Sequence, residues 1–299
     1  MNDITFKTST LREAMAEGTI LCTSETLLHI KNNTVPKGNI FEFARAAGFF
    51  GAKKTDQLLP HCHPVTIDGM DLTFELLENG IKISGSAKSI GRTGIEMEIL
   101  TGVSIAALTI YDMLKPLDKT LEITGIKLLQ KKGGKTDREK YFQTPPSCAV
   151  LVCSEEILNK AREDNASPEI KRLLAKYGVT QPLFEYTGND SDKIKVTIQS
   201  LVKNDVKYIF TVGGTGLGQS DTTYEAIEAI IEQKLDGITD AMRIHAYARN
   251  PLAMTSKLIA GSISGTTIIS LPGSADGAKE CLEAILPTVF KIQKMLLKN

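Results

Sequence analysis

The stretch from Ile99 to Tyr111 carries no charged residue, while both of its flanks do. It is too short to cross a bilayer, which takes about 20 apolar residues, so the pattern predicts a helix buried in a globular core. Glu96 and Glu98 fall in the first turn of this helix and Lys115 in the last, as the helix dipole favours. Pro116 ends it, because a proline disfavours helical geometry in the residue before it.

Asp112 stands out in this helix, because a carboxylate one turn from a helix C-terminus is electrostatically disfavoured. Lys115 lies three residues further on, so the two side chains are neighbours on one helix surface. A surface ion pair and an acid/base pair both explain this arrangement. Glu98 and Asp112 are about 21 Å apart along a helix, so either the two ends serve different sites or a second subunit brings its own copy alongside.

A second helix is predicted over Asn39–Phe50, where apolar residues recur at helical spacing. The segment Pro36-Lys37-Gly38-Asn39 comes directly before it. A lysine at a helix start is suited to binding an anion, although a solvated loop lysine explains Lys37 equally well.

The period of the apolar residues changes to two from Leu72 to Leu76 and again from Ile81 to Ile83. Asn79-Gly80 separates the two runs, and this dipeptide between alternating runs is typical of a β-hairpin. Leu121–Leu129 is predicted as a further strand. The first half is therefore predicted to be an α+β domain with an antiparallel sheet and helices.

The segment His61-Cys62-His63 could hold a metal ion, but only His29 and His245 remain as further histidines. Because a tetrahedral site needs partners from elsewhere, contacts to a ligand are favoured over a metal, with an ordinary loop as the other alternative. The five cysteines are widely spread and include no C-x-x-C pair, so neither a disulfide framework nor a zinc ribbon is indicated.

The second half begins after a predicted linker at 138–146, which closes on Pro145-Pro146. Strands and helices then alternate, and this predicts a largely parallel sheet covered by helices on both faces, a three-layer α/β domain. The predicted strands are Cys148–Val152, Val179–Tyr186, Tyr208–Val212 and Thr266–Leu271. The predicted helices run from Ser167 as the cap to Gly178 as the stop, then over Asp192–Lys203, Thr222–Lys234, Asp240–Tyr247 and Ala278–Lys298.

A glycine-rich loop follows one of these strands: Gly213, Gly214, Thr215 and Gly216 come first, and Asp221 ends it. It fits neither the Walker loop nor G-x-G-x-x-G, which disfavours a dinucleotide-dependent oxidoreductase. Ligands bind beyond the C-terminal ends of parallel strands, and glycines there let backbone N–H groups converge on an anion. A second turn, Leu271-Pro272-Gly273-Ser274, favours a ligand site over a purely structural turn.

Composition adds few constraints. The chain has 299 residues, which favours two domains, and 35 basic residues balance 35 acidic ones. A net charge of zero gives no sequence-wide reason to expect nucleic acid or an anionic membrane as a partner. The N-terminus lacks the layout of a signal peptide, so we expect a cytoplasmic protein that acts on small molecules.

Residues 1–137 resemble the cyclic pyranopterin monophosphate synthase family of molybdenum cofactor biosynthesis. The segments that carry the resemblance are Pro36–Asn39, Ala52–Thr55, Leu59–Pro64, Gly91–Glu98, Leu108–Met113 with Lys115, and the Gly133-Gly134-Lys135 loop. The resemblance implies a ferredoxin-like α+β fold and a lyase that converts (8S)-3',8-cyclo-7,8-dihydroguanosine 5'-triphosphate to cyclic pyranopterin monophosphate and pyrophosphate. His61 departs from the family, which commonly has an apolar residue there.

The same resemblance implies roles for individual residues. Asp112 and Lys115 would be the central catalytic pair, assisted by Lys37 and His63. No metal or cofactor is expected in this domain, and the family works as a hexamer with sites between subunits. The residues expected to bind substrate are His61, Cys62, Arg92, Glu96, Met97, Glu98 and Lys131.

Residues 147–299 resemble the molybdopterin adenylyltransferases, which activate the pterin phosphate with ATP and Mg²⁺. The matching segments are Val212–Gly216, Asp221 with Thr223, Glu225-Ala226, Ala241–Arg243 and Leu271–Gly273. The ligand site would comprise Gly213, Gly214, Thr215, Gly216, Asp190, Asp221 and Ser274, with Mg²⁺ near the two aspartates. Tyr224, Glu155, Asn165–Ser167 and Ala275 depart from the family pattern.

The expected protein is thus bifunctional, with a lyase followed by an adenylyltransferase, and a homo-oligomer that is hexameric or trimer-based. Aspartates at the two expected positions favour a second activity. The altered segment around Asn165 favours the alternative, the same lyase joined to a non-catalytic module for pterin binding or oligomerisation.

Overall fold

The computed structural model describes residues 1–134 and 144–296. The chain divides into two compact units, Met1–Asp137 and Arg138–Asn299. Most of the predicted linker at 138–146, together with Lys135 and the end of the predicted last helix, lies outside the described residues.

The first unit contains a four-stranded sheet with the order β2-β3-β1-β4. Each pair of neighbouring strands is antiparallel. The strands are β1 (Thr10–Leu21), β2 (Gly69–Leu76), β3 (Gly80–Gly91) and β4 (Glu122–Lys132), and the helices are α1 (Ser24–Lys31), α2 (Ile40–Ala52), α3 (Thr55–Leu58) and α4 (Glu96–Leu114). The predicted hairpin, the helix after Asn39 and the helix after Ile95 are all present, so an antiparallel sheet with helices is confirmed.

Helix α4 forms the centre of this unit. Ile99, Val103 and Ile110 are fully buried in its core cluster. By length and composition α4 could also cross a membrane, but half of its most apolar window is buried inside the unit, as expected for a core helix. It crosses α2 closely, because a Cβ atom built on Gly48 would lie 2.9 Å from the carbonyl oxygen of Gly102.

The central strand β1 was not predicted from the sequence. Its buried face carries Ala14, Ala16 and Gly18 next to Ile20. These small residues leave room for α4, since a Cβ on Gly18 would lie 3.0 Å from Val103 Cγ1. Buried and exposed residues do alternate along β1, but the buried ones are small, so the strand lacks the alternation of large apolar residues by which strands are predicted. Helix α1 was missed as well.

The second unit contains a six-stranded sheet with the order β6-β5-β7-β10-β9-β8. The first four strands are parallel to one another, and β9 is antiparallel to both of its neighbours, β10 and β8. The strands are β5 (Cys148–Cys153), β6 (Leu183–Thr187), β7 (Tyr208–Val212), β8 (Gln233–Lys234), β9 (Ala260–Ile263) and β10 (Thr266–Leu271). The helices are α5 (Glu155–Leu158), α6 (Ala166–Ala175), α7 (Ser191–Lys203), α8 (Thr223–Glu228), α9 (Asp236–Tyr247), α10 (Ala275–Ile285) and α11 (Ile292–Leu296), with 3-10 turns at Pro251–Thr255 and Thr288–Lys291.

Helices cover both faces of this sheet, as predicted. On one face Val150, Phe210 and Ile269 pack against α6, α9 and α10. On the other, Leu151 and Ile209 pack against α7 and α8. The largely parallel, three-layer arrangement is therefore confirmed.

Several predicted boundaries in this unit are wrong. The strand expected from Val179 begins at Leu183, and the helix expected from Asp240 begins at Asp236. The helix expected over Thr222–Lys234 ends at Glu228, because its last residues pair as the short antiparallel strand β8. The helix expected over Ala278–Lys298 ends at Ile285, because Pro287 cannot continue it. Ser167 lies inside the first turn of α6, and Asp164 caps that helix by accepting bonds from the N–H groups of Ala166 and Ser167.

Candidate functional sites

Asp112 lies between two lysines at the C-terminal end of α4. Lys37 Nζ donates to its Oδ2 atom at 2.7 Å and to its backbone oxygen at 2.9 Å. Lys115 Nζ lies 2.7 Å from its Oδ1 atom. Each carboxylate oxygen therefore has its own ammonium group, and all three side chains remain accessible, with 41%, 56% and 57% of Lys37, Asp112 and Lys115 exposed.

These contacts fix the charge state of the cluster. The hydrogen bonds from Lys115 and then Lys37 lower the pKa of Asp112 to about 2. The bond to Asp112 in turn raises the pKa of Lys115. Around neutral pH the cluster is thus one carboxylate with two ammonium groups, a net positive site at the surface of the unit.

Local structure holds Lys37 in place. The N–H of Gly38 donates to the carbonyl of Val35 at 3.0 Å, closing a turn around the lysine, and Gly38 adopts a φ of 91°, which favours glycine. Asn39 then caps α2, its side chain accepting bonds from the N–H groups of Phe41 and Glu42. Because α2 packs on α4, this turn lies beside Asp112.

Asp118 was not predicted from the sequence, although it is a buried residue that stabilises the same region through hydrogen bonds. It is 5% exposed, and its carboxylate accepts four hydrogen bonds, from the N–H of Thr23 and the hydroxyl of Thr26 and from both groups of Thr120. It thereby joins the start of α1 to the turn after Lys115. The Asx-turn to Thr120 is visible in the sequence, but the link to Thr23, 95 positions away, is not.

A second group of expected site residues lies at the other end of α4. Glu98 is 4% exposed, and its Oε2 atom is buried without a hydrogen bond partner among the described residues. Burial raises the pKa of this carboxyl, and the charges of Glu96 and Asp56 raise it further. The negative charge of Glu98 likewise adds to the burial that raises the pKa of Cys62, so the loop carrying Cys62 lies close to this end of α4.

The loop before α4 is also fixed. The guanidinium of Arg12, which sequence reasoning missed, donates to the carbonyl oxygens of Gly91 and Arg92 at 3.2 and 3.3 Å. Lys131 lies 3.3 Å from Glu96 Oε1. Arg92 and Met97 are exposed.

The predicted residues of the first unit therefore form two groups rather than one. Lys37, Asp112 and Lys115 are brought together, whereas Cys62 and Glu98 lie at the opposite end of the helix. The Nε2 atom of His63 lies 2.8 Å from the backbone oxygen of Asn2, and within the described residues His63 makes no hydrogen bond to Asp112. His61, beside it, is exposed.

In the second unit the glycine-rich loop follows β7. Gly213 and Gly214 have φ values of 94° and 61°. A Cβ on Gly214 would lie 2.2 Å from Thr223 Oγ1, so the loop folds tightly over the start of α8. A Cβ on Gly213 would come within 2.7 Å of the carbonyl oxygen of Cys153, at the end of the neighbouring strand.

Asp221 closes this loop by accepting a 3.0 Å bond from the N–H of Gly218. The next residue, Thr222, donates its hydroxyl proton to the carbonyl oxygen of Asn189. Asp190, directly after Asn189, caps α7, and bonds from the N–H groups of that helix lower its pKa. One hydrogen bond therefore connects the two loops that carry Asp190 and Asp221.

Aspartate carboxylates such as those of Asp190 and Asp221 are a type of ligand that binds Mg²⁺ together with phosphate. Mg²⁺ is usually held by one or two carboxylates, with substrate phosphates and water completing the octahedron. Within residues 1–134 and 144–296, no group of three or more His, Cys, Asp and Glu side chains could hold a metal ion by itself. A magnesium ion at these two aspartates would therefore need further ligands from a bound substrate or from water.

The second turn lies next to the glycine-rich loop. A Cβ on Gly273 would be 3.2 Å from the Cα atom of Gly213. Ser274 caps α10 by accepting a bond from the N–H of Gly277 and also lines a cavity of about 320 Å³. Arg243 and Glu280 are among the other residues around this cavity.

Lys257 is a further residue that the sequence did not single out. Its backbone N–H donates to the carbonyl oxygen of Thr215 at 2.8 Å. Its ammonium group donates to the carbonyl oxygen of Asp221 at 3.2 Å and to Glu225 Oε1 at 2.9 Å. This one lysine therefore contacts the glycine-rich loop near both of its ends.

Two departures from the expected family pattern, at Glu155 and in the segment Asn165–Ser167, have carboxylates bound within the chain. The Glu155 carboxylate packs against Gly188, where a Cβ would overlap it. Asp164 occupies the N-terminus of α6 with its own carboxylate, so that end of the helix is already capped by the chain.

Comparison with known families divides the chain in the same way. Residues 1–134 match the MoaC family. Residues 149–291 match a family described as a probable molybdopterin binding domain.

Similar proteins include some that match over nearly all of their length. The molybdenum cofactor biosynthesis bifunctional protein of Chlorobaculum tepidum is 35% identical over 99% of this chain and 94% of its own. The cyclic pyranopterin monophosphate synthase of Aquifex aeolicus is 42% identical over 67% of this chain and 76% of its own. The crystal structure of the molybdopterin biosynthesis enzyme MoaB from Thermus thermophilus covers 51% of this chain and 97% of its own, with a TM-score of 0.47 and 26% identity.

Proposed function

The chain belongs to the family of bifunctional molybdenum cofactor biosynthesis proteins, and we propose that each of its two units catalyses one step of that pathway. The first unit is a cyclic pyranopterin monophosphate synthase. It converts (8S)-3',8-cyclo-7,8-dihydroguanosine 5'-triphosphate to cyclic pyranopterin monophosphate and pyrophosphate. The second unit transfers adenylate from ATP to molybdopterin. If the three helices between β1 and β2 are counted as one helical connection, the first unit has the order β-α-β-β-α-β with the sheet order β2-β3-β1-β4, which supports a ferredoxin-like classification.

The observation that carries the first activity is the contact of Asp112 with both Lys37 and Lys115. Remodelling a purine into a pterin requires protons to be moved on and off carbon and nitrogen, which needs positioned acids and bases. Before substrate binds, the carboxylate holds Lys115 as an ammonium ion. A triphosphate competes with Asp112 for the two ammonium groups, and the loss of these contacts raises the pKa of Asp112, which makes its carboxylate a better base, while Lys115 remains an ammonium ion beside the phosphates. Lys115 then donates a proton and Asp112 accepts one.

The substrate's ring atoms bind at the other end of α4. Glu98 offers a buried carboxyl without a described partner, and Cys62, His61 and Met97 belong to the same region. Lys131 and Arg92 add positive charge for the phosphates, and His63 assists proton transfer. Because this region is about 21 Å from Asp112 along the helix, a complete site combines the two ends from different subunits of a homo-oligomer, hexameric or built from trimers.

In the second unit the pterin's phosphate oxygen attacks the α-phosphorus of ATP. A new P–O bond forms to the pterin phosphate, the bond to the β-phosphate oxygen breaks, and pyrophosphate leaves with the electron pair. Asp190 and Asp221 would bind Mg²⁺, which supplies charge neutralisation for the phosphates. The backbone N–H groups of Gly213, Gly214, Thr215 and Gly216 contact phosphate oxygens, and Ser274 orients the pterin from the second turn.

A second candidate keeps the lyase and makes the second unit a non-catalytic module that binds pterin or supports oligomerisation. Two observations favour it. Asp164 already caps the N-terminus of α6, so it occupies that helix end in place of a ligand. Asp221 accepts a hydrogen bond within its own loop, which it would have to share with a metal ion.

The full-length protein can be assayed with each substrate separately. Supplied with the cyclised triphosphate, it should release pyrophosphate and cyclic pyranopterin monophosphate, and Asp112→Asn should abolish this without affecting adenylylation. Supplied with molybdopterin, ATP and Mg²⁺, it should form adenylylated pterin, and Asp221→Asn should abolish only that product. Binding of molybdopterin without any adenylylated product would instead support the non-catalytic module.

A further inference from the structure

The ion pair between Lys257 and Glu225 lies next to Asp221, the last residue of the glycine-rich loop. Its two partners are 32 positions apart in the chain, on different segments of the second unit. The Glu225 side chain is 55% exposed and that of Lys257 30%. Exposed pairs of this kind contribute little to stability, so stabilisation alone is a weak explanation for it.

A chemically similar pair stands one turn further along α8. Lys234 Nζ lies 2.5 Å from Glu228 Oε1, and the exposure of its two partners is comparable, at 48% and 42%. Lys234 has no described contact with the loop. What distinguishes Lys257 is that its ammonium group also donates to the carbonyl oxygen of Asp221 and its N–H to Thr215.

This position matters because the glycine-rich loop contains no cation of its own between Gly213 and Ser220. A nucleotide polyphosphate bound there brings several negative charges next to the carboxylates of Asp221 and Glu225. An accessible ammonium ion that is paired with an exposed carboxylate can exchange that carboxylate for a phosphate oxygen and form a strong charge-assisted hydrogen bond.

We propose that Lys257 is a phosphate-binding residue of the second site. Glu225 holds the Lys257 side chain beside Asp221 until a nucleotide polyphosphate binds the ammonium group instead. This inference rests on the proposed adenylyl transfer. It assigns opposite effects to the two members of the pair, because Lys257 contacts the nucleotide whereas Glu225 competes with it.

The test compares three variants of the full-length protein with MgATP as the varied substrate. Lys257→Met removes the ammonium group and leaves Glu225 uncompensated, so KM for MgATP should rise by about 10-fold to 100-fold. Glu225→Gln releases the lysine, so KM should stay at or below the parent value. Lys257→Arg keeps a cation and should remain within about 3-fold of the parent.

Lys234→Met is the matched control, and its KM should equal that of the parent. Direct titration with MgATP and with inorganic pyrophosphate gives a readout that does not depend on turnover. Lys257→Met should weaken both ligands, while molybdopterin binding stays unchanged.

The outcomes separate this inference from the proposed function. Parent protein that neither binds ATP nor forms adenylylated pterin overturns both. Parent protein that does both, together with a Lys257→Met variant of unchanged KM, overturns the inference alone. Equal increases in KM for Lys257→Met and Glu225→Gln also overturn it, because they would mean that the pair only supports the loop.

Discussion

Lys37 Nζ donates a 2.7 Å hydrogen bond to Asp112 Oδ2 across 75 positions of the chain. The lysine belongs to the turn before α2 and the carboxylate to the last turn of α4. The packing of these two helices therefore sets the geometry of the cluster. Lys115 completes it from within α4, at 2.7 Å from the other carboxylate oxygen.

The charge state of Asp112 provides the first prediction. Lys115 is the largest cause of its pKa of about 2, so Lys115→Met should raise that pKa part of the way toward the ordinary value of 3.8, with Lys37 still in contact. Titration of ¹³C-labelled aspartate carboxyls by NMR in the full-length protein measures this directly. Lys119→Met, which removes an exposed lysine four positions away, serves as the control and should leave the Asp112 titration in place. An unchanged titration in Lys115→Met would contradict the ion pair.

The close crossing of α2 and α4 provides the second prediction. Gly48→Ala places a Cβ atom 2.4 Å from Leu72 Cδ1 and 2.9 Å from the carbonyl oxygen of Gly102, so the helices must move apart. We expect the free energy of unfolding of the first unit to fall by about 1–3 kcal/mol, the usual cost of overpacking. Alanine's better helix propensity returns only about 0.5–1 kcal/mol.

The control for this substitution is Gly69→Ala, where a Cβ meets nothing within 4 Å. It should be close to neutral in denaturant unfolding. Gly48→Ala should also reduce lyase turnover more than Gly69→Ala does, because moving α2 moves Lys37. Equal stability of the two variants would mean that the helices do not cross as described.

The two crossing helices could be predicted from the sequence, whereas the strand beneath them could not. The apolar face of α4 and the cap at Asn39 are local patterns, and both elements were predicted near their observed ends. Strand β1 was not predicted because α4 lies so close that the middle of its buried face carries only the small residues Ala14, Ala16 and Gly18. Small residues allow α4 to pack closely on the strand, but they do not form the pattern of large apolar residues that predicts one.

The same division holds for the sites. Lys115 and Asp112 are neighbours in sequence, so their pairing followed from helical spacing. Lys257 lies 36 positions from Asp221 in a segment without a distinctive local pattern, and only the fold brings the two together. Tertiary contacts of this kind have no signal in a single sequence unless a family resemblance supplies one.

Asp118 provides the third prediction. It is buried, and its four hydrogen bonds come from three different residues. Asp118→Asn replaces one acceptor oxygen by a donor that faces N–H and hydroxyl groups. A hydrogen bond to a charged group contributes about 1.5–3 kcal/mol, so we expect a loss of that size in the free energy of unfolding at pH 7. Asp71→Asn, at an exposed position of β2, is the control and should be neutral.

The pH dependence of this loss has a definite sign. Burial alone would raise the pKa of Asp118, but the hydrogen bonds from Thr120, Thr23 and Thr26 outweigh it and lower the pKa below its ordinary value of 3.8. A lowered pKa stabilises the fold above the unfolded value, and the stabilisation is lost as the pH falls through the folded one. The difference between parent and Asp118→Asn should therefore be constant from pH 7 to about 5 and narrow below about 4. A difference that grows toward low pH would contradict the described contacts.

The two ends of α4 provide the last prediction. Glu98 and Asp112 are about 21 Å apart along one helix, yet both are proposed to act on one substrate, so each site should take Glu98 from one subunit and Asp112 from another. We expect Asp112→Asn and Glu98→Gln chains to be inactive alone. The two are mixed in equal amounts, unfolded together and reassembled. With random assembly, one site in four receives both parent residues, so about a quarter of the parent's lyase turnover should return.

The control mixes Asp112→Asn with Lys115→Met, whose altered residues belong to the same cluster and so leave no intact site in any combination. Turnover that stays absent in the first mixture, while mass spectrometry shows mixed oligomers, would mean that one chain supplies both ends, and the proposed composite site would be wrong.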